Sequence, residues 1–316
     1  FPTNQLANGI LQKDFDELLL SEEKPFFNRA LKGRYPPASS IKPAIAMYGI
    51  EEGLIDWDFS IFDEGFFTLP EDGRIYRDWK EGGHGDTNLF KAITQSSNTY
   101  FFDLAYRSDI NQLNKHLSSL GFGGKACIDC FEEDKVFVPE PSWKMNKHNF
   151  GWFKGDTVNM GVGQGYLVST PIQLAKYAYI MANKGKFSDL SLKKDLVKSE
   201  KSIEFNKFSN DDWFKLHESM VNVIEGNTGT ARRLRERKNY IVAAKTGTAE
   251  LVSGDNREQY SETRLDDSLR DHALIIAFGP MPNPRYAVSV VVENGESGGS
   301  VAGPVAISVL NSLIQE

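Results

Sequence analysis

Apolar residues recur at helical spacing in Ile41, Ala44, Ile45 and Tyr48, which predicts a helix from residue 39 to about 52 that Gly53 stops. Tyr35-Pro36-Pro37 holds the preceding chain extended, so a loop turns abruptly into that helix. Residues 1–35 read as an irregular, partly helical approach with a short helix over 13–19. Asn88 is placed to cap a helix over 89–94, and an apolar helix follows over 99–105, leaving Ser96-Ser97-Asn98 in the turn between them. Residues 111–120 are amphipathic and closed by Gly121-Phe122-Gly123, Thr170-Pro171 opens another helix, and a further one spans 211–224. Two stretches lack this pattern. Residues 62–85, aromatic and glycine-rich, read as a long structured loop too polar for core, and lysine-rich 183–209 reads as surface.

The last hundred residues change character. Apolar runs at 241–244, 273–279 and 286–292 predict three strands, the latter two a hairpin around Pro282-Asn283-Pro284, covered by a final helix over about 301–314. Helices in the middle and strands at the end give a mixed α/β (α+β) fold, with a helical part over roughly 39–225 and a sheet part over roughly 238–316.

Composition narrows the function classes. The 316 residues are 40% hydrophobic and 25% charged, as in ordinary globular proteins. A net charge of -7 argues against a nucleic-acid partner. No apolar run approaches the roughly 20 residues of a membrane helix, and no signal peptide opens the chain. The opening Phe1-Pro2-Thr3-Asn4 suggests a piece cut from a longer protein. Cys127 and Cys130 form a lone C-x-x-C with no second pair, so inert loop thiols are expected rather than a metal or redox site, although an oxidising compartment would allow them to pair.

Ser39 and Lys42, three apart, share one helical face. Ser39 as a helix cap with Lys42 solvated is one reading. The other is a nucleophile beside an amine whose depressed pKa lets it take the serine proton. Ser96-Ser97-Asn98 and Lys245-Thr246-Gly247-Thr248 follow in order. Alone, Ser96 and Asn98 would read as helix caps. At an edge strand Gly247 would let a substrate backbone lie close, Thr246 and Thr248 would offer hydroxyls to a carboxylate, and Lys245 would add positive charge. The amides of Ser39 and Thr248 could form an oxyanion hole. The run Gly161-Val162-Gly163-Gln164-Gly165-Tyr166 lacks the lysine-serine of a phosphate loop and suggests a close backbone approach instead.

The ordered set serine-x-x-lysine, serine-x-asparagine and lysine-threonine-glycine resembles the penicillin-binding protein and serine β-lactamase superfamily. Within it the chain is most similar to class B, elongation-type transpeptidases called penicillin-binding protein 2. The likeness rests on Tyr35-Pro36-Pro37, Tyr76-Arg77-Asp78-Trp79 with Gly83-His84-Gly85, Gly155-Asp156, the glycine run at 161–165, Ala243-Ala244 with the third motif, Arg270-Asp271-His272 and Glu293-Asn294-Gly295. Ala38 stands where glycine is expected. The resemblance implies a β-lactamase/transpeptidase-like fold, an antiparallel sheet with flanking helices and a helical subdomain, here one transpeptidase domain over 1–316. The family's membrane anchor, pedestal and opening strands would lie outside this sequence.

It further implies that Ser39 is acylated, that Lys42 activates it, that Ser96 shuttles a proton with Lys42 and Lys245, and that Asn98 binds the substrate amide; which group is the acylation base is disputed in the superfamily. The expected activity is D,D-transpeptidation of peptidoglycan stem peptides, blocked by β-lactams, at the periplasmic face of a bacterial inner membrane beside a glycosyltransferase and shape-determining proteins. Alternatives are a D,D-carboxypeptidase or β-lactamase, a β-lactam-sensing receptor domain, or an inactive scaffold. No cofactor is required, but some relatives imply zinc at Asp63, Asp78 and His84, with a fourth ligand where Ser97 stands. Serine is a poor zinc ligand, so a hydrogen-bonded cluster pinning the loop is the other reading. The polar stretch from Glu250 to Arg270 is expected to be a mobile loop beside the third motif.

Overall fold

The computed structural model describes residues 3–196, 199–251 and 269–314. Most of the expected 250–270 loop lies outside them. In chain order the helices are α1 (Thr3–Ala7), α2 (Gln12–Leu20), α3 (Arg29–Lys32) and α4 (Lys42–Glu51), then α5 (Leu89–Gln95), α6 (Asn98–Arg107), α7 (Ile110–Ser119) and α8 (Pro141–His148). After these come α9 (Lys154–Gly161), α10 (Pro171–Ala182), α11 (Asn210–Glu225) and α12 (Gly303–Ile314). The main sheet is β7 (Ala243–Ala249), β8 (His272–Gly279) and β9 (Tyr286–Val292), antiparallel in that order.

Helix α4 is the axis of the helical side. Its residues from Lys42 to Ile50 are all buried, so it is apolar nearly all round, as a helix enclosed by others must be. Tyr100, Phe101 and Leu104 of α6 and Leu113 and Leu117 of α7 join the same core. In β8, Leu274, Ile276 and Phe278 face that core, whereas Ala273, Ile275 and Ala277 face a second one with Ala306, Ile307 and Leu310 of α12. Burial on both faces explains why this strand reads as a continuous apolar run rather than an alternation. Its central place leaves β7 at an edge, paired with β8 alone among the described residues.

The capping chemistry largely follows the sequence. Asn88 accepts from the Lys91 amide, and Thr170 with Gln173 forms a capping box over Pro171. Two expectations need correction. Residues 62–85 are not merely a loop: β1 (Ser60–Asp63) pairs with β4 (Gly85–Asn88), and β2 (Phe66–Thr68) with β3 (Ile75–Arg77). Leu69 and Tyr76 reach the core, and three polar side chains are buried with partners: Asp63 accepts from Ser97 Oγ, His84 bonds Asp78 and Gln95, and Thr87 donates to Gly85 O. The cysteines, expected as free thiols, form a Cys127–Cys130 disulfide. Glu133 accepts the Ala126 and Cys127 amides, curling the loop so that the two Cα atoms stand 5.4 Å apart. Among the described residues of 183–209 the strands are the short pair β5 (Lys186–Phe187) and β6 (Lys201–Ser202).

Candidate active site

The nucleophile turn is built by backbone pairing from behind. Tyr35 and Ser169 exchange amide-to-carbonyl bonds of 2.9 and 2.8 Å, and the Ala38 amide donates to Gly163 O at 2.8 Å. Ala38 has φ 49, left-handed backbone that glycine adopts more readily, so the departure noted from sequence falls on a strained position. Gly163 is the reason the glycine run exists: a Cβ there would stand 2.3 Å from Ala38 O. Ser39 sits inside a 3-10 turn (Ala38–Ile41) that leads into α4, and neither Pro37 nor Ile41, the cap positions, makes a side-chain cap bond. The helix-cap reading of Ser39 therefore fails on position.

Lys42 is fully buried, and its Nζ donates to Ser96 O at 2.8 Å, Ser96 Oγ at 3.2 Å and Asn98 Oδ1 at 2.7 Å. Burial lowers its pKa to about 7, against the opposing pull of the Asp78 and Asp63 charges. From the other side the buried Lys245 Nζ donates to the same Ser96 Oγ at 2.8 Å and to Thr246 O at 3.1 Å. Burial, and then the charge of Lys42, holds Lys245 well below the ordinary lysine value. One hydroxyl thus joins two amines whose charged forms burial disfavours.

Ser96 reaches that point because it ends α5 in left-handed backbone, φ 61 and ψ 39. The cap of α6 is neither Ser96 nor Asn98 but Ser97, whose Oγ accepts the Tyr100 amide. Asp78 fixes the same turn: its Oδ2 accepts the Asn98 amide at 2.5 Å and the Thr99 amide at 2.9 Å, while neighbouring Trp79 donates to Ser96 O. Burial works to raise the Asp78 pKa, but the bond with His84, the charge of Lys42 and the backbone amides of Thr99 and Lys80 hold it well below the usual carboxylate range.

Strand β7 closes the cleft. At Gly247 a Cβ would stand 3.2 Å from Pro37 O and 3.3 Å from Ser40 N, so the missing side chain lets the strand lie on the nucleophile turn. The space expected for a substrate backbone at this Cβ position is taken by Pro37 and Ser40. The Thr246 and Thr230 hydroxyls lie 2.7 Å apart, and Gln164 Nε2 donates to Thr248 O at 3.2 Å. Sequence reasoning missed Thr230, a lone threonine without a motif, and took Gln164 only as part of the glycine run.

The second cluster also assembles. Ligand atoms of Asp63, Asp78 and His84 lie within 4.8 Å of one another, all three residues buried. His84 Nδ1 faces Gln95 Oε1 at 3.0 Å, the kind of outer partner that orients a ligating imidazole. Ser97 Oγ, in contrast, is committed to Asp63 Oδ2 at 2.7 Å and to the Tyr100 amide. The two carboxylates and the imidazole fit a divalent metal; Ser97 does not fit as a fourth ligand.

A buried turn carrying Ser39, two buried lysines on one serine and a lysine-threonine edge strand come together as a candidate site, suited in its donors to serine acyl transfer, on a β-lactamase-like fold. The family description "Penicillin binding protein transpeptidase domain" matches residues 4–311, and the chain belongs to that family. It is 39% identical over 311 residues to the peptidoglycan D,D-transpeptidase MrdA of Acinetobacter baumannii, covering 96% of this chain and 46% of that protein. The crystal structure of Pseudomonas aeruginosa PBP2 in complex with WCK 5153 superposes with TM-score 0.87 at 36% identity, covering 98% of this chain and 67% of that one. Helicobacter pylori PBP2, in a complex with MreC, matches with TM-score 0.83 at 30% identity over 96% of this chain and 55% of that one. The chain spans about half the length of the curated relatives it matches.

Proposed function

We propose that this chain is a D,D-transpeptidase that cross-links peptidoglycan stem peptides during cell elongation. The observation that carries the reading is the bridging of Ser96 Oγ between buried Lys245 and buried Lys42, which stands one turn from Ser39 in the chain. Lys42, neutral in an appreciable fraction near pH 7, accepts the Ser39 proton as Oγ attacks the penultimate D-alanine carbonyl. The Ser39 and Thr248 amides take the developing oxyanion, a donor pair whose single loss typically costs roughly 2.7–4 kcal/mol of barrier. As the C–N bond breaks, the proton passes from Lys42 through Ser96 to the leaving amine, and the terminal D-alanine departs. An amine of a second stem then attacks the ester, gives up its proton by the reverse route and frees Ser39. Asn98, already bonded to Lys42, holds the substrate amide, and Lys245, Thr246, Gly247 and Thr248 line its carboxylate end.

A β-lactam would acylate the same Ser39 and remain attached. Asp63, Asp78 and His84 would hold a zinc ion, which would supply a structural tie for the loop and no chemistry at the ester. The partners by family are a membrane glycosyltransferase and a shape-determining protein such as the MreC bound by the Helicobacter pylori relative. In the full-length protein the site would lie at the periplasmic face of the inner membrane; no helix among the described residues is long and apolar enough to cross a membrane.

The test is intact mass after incubation with a penicillin. The expected result is a stable adduct of one penicillin per chain that Ser39→Ala abolishes. Rapid drug hydrolysis without an adduct would make the protein a β-lactamase, and neither adduct nor hydrolysis would refute the reading.

A further inference from the structure

Between α8 and the residue that follows the glycine run, the surface carries a cluster of rings that the acyl-transfer chemistry does not use. Tyr166 meets Trp143 edge-on and His148 at a tilt, each with ring centroids at 5.4 Å, and lies 6.5 Å from Trp152. Phe137 extends the cluster at 5.0 Å from Trp143. Beneath it, Lys144 is buried with its Nζ bonded to Asp156 at 2.5 Å, and lies 4.6 Å from the Phe153 ring and 5.5 Å from that of Tyr166. The buried cation braces the rings from behind, so their outer faces are fixed rather than collapsed. Those faces are open: Phe153 is 61% exposed, Phe137 45% and Tyr166 37%.

The cluster is tied to the cleft through Gln164. Tyr166 is two residues beyond Gln164, whose side chain is bonded to Thr248 O of the third motif. Two residues reach at most about 7 Å, so with the Gln164 side chain Tyr166 lies within about 15 Å of the cleft strand. Four stem-peptide residues, extended at about 3.3–3.6 Å each, span roughly the same distance from an acylated serine to the sugar that bears the stem.

We propose that the Phe137–Trp143–Tyr166–Phe153 surface is a subsite for the sugar of the glycan strand that carries the stem peptide. The apolar C–H face of a pyranose packs flat on an aromatic ring, and exposed Lys147, with its Nζ 5.1 Å from the centre of the Trp143 ring, offers a donor for its hydroxyls. This inference rests on the transpeptidase reading and adds to it a preference for sugar-bearing over free peptide.

The experiment is competition for Ser39 against a fluorescent penicillin, using a soluble disaccharide-pentapeptide and the same pentapeptide without sugar. Wild type is expected to bind the sugar-bearing peptide about tenfold better, as one or two aromatic contacts would provide. The double variant Phe153→Ser/Tyr166→Ser is expected to lose that advantage while its penicillin acylation rate stays the same. Equal competition by the two peptides in wild type, or an advantage that survives in the variant, would overturn the proposal. So would equal competition together with pelleting of wild type, but not the variant, on phosphatidylglycerol vesicles, which would assign the rings to lipid. Absence of any penicillin adduct would be a different failure, that of the transpeptidase reading beneath it.

Discussion

If neutral Lys42 takes the Ser39 proton, the acylation rate must follow the neutral fraction of a buried amine with pKa about 7. That fraction is about one half at pH 7, about one tenth at pH 6 and about nine tenths at pH 8. Second-order acylation by a penicillin should therefore fall about fivefold from pH 7 to pH 6 and level off above about pH 8. An exposed lysine of pKa about 10.4 would give a neutral fraction near 10⁻³ or less at pH 7 and a rate still climbing about tenfold per pH unit at pH 9. Replacing Asp78 by Asn removes a charge that raises the Lys42 pKa, so the acid limb should move to lower pH even if the rate itself drops. Stopped-flow acylation by a chromogenic cephalosporin across pH 5 to 10 gives both profiles. A wild-type rate flat between pH 5.5 and 7, or one rising without plateau to pH 10, would refute Lys42 as the base. The linkage sign is distinct: because folding depresses this lysine, its destabilising contribution is fully present below about pH 7 and is relieved as pH rises toward the unfolded value.

Three further changes probe the frame of the site. Ala38→Gly should relieve left-handed strain of roughly 1–2 kcal/mol, less a few tenths to 1 kcal/mol of added unfolded-state entropy. Its melting temperature should therefore rise slightly, and a fall in calorimetry would show that the Ala38 methyl packs usefully. Thr230→Val removes the hydroxyl paired with Thr246, and should weaken the carboxylate end of the cleft. The concentration giving half-maximal acylation should rise several-fold with the limiting rate nearly kept, whereas an equal fall in both k2 and k2/K would place Thr230 in the chemical step. Loading the Asp63, Asp78 and His84 cluster with zinc and then removing it should lower the melting temperature only slightly, because Asp78 and Ser97 hold the α6 turn through their own hydrogen bonds. A large, zinc-reversible loss on dialysis against a chelator would show that the ion carries the loop.

Much of the site was legible because its chemistry demands local spacing. Ser39 and Lys42 are one helical turn apart whatever surrounds them, and Asn88 and Thr170 cap helices through contacts within a few residues. Strand β8 was visible for a related reason, since two-sided burial leaves an unbroken apolar run, and partly buried β9 is nearly as apolar. Residues 62–85 misled because their burial depends on pairing β1 with β4 across some twenty intervening residues, and polar side chains that satisfy one another inside a fold look the same in sequence as solvated ones. Thr230 was hidden for that reason too: its hydroxyl acquires meaning only when β7 brings Thr246 within 2.7 Å.

From sequence Gly247 is the right residue with the wrong neighbour, and Gly163 is the right residue with its neighbour left open. Gly247 and Gly163 were both read as sites of close backbone approach, and both are; in each case the approaching partner is the nucleophile turn itself, Pro37 and Ser40 on one side and Ala38 on the other. The turn is thus clamped between two stretches that have no side chains to yield. Such a clamp explains how Ala38 is kept in a conformation that costs a non-glycine residue roughly 1–2 kcal/mol. It also implies that the geometry around Ser39 is set by packing before any substrate arrives, since a Cβ at Gly163 would have to displace the backbone of Ala38 rather than the tip of a flexible side chain.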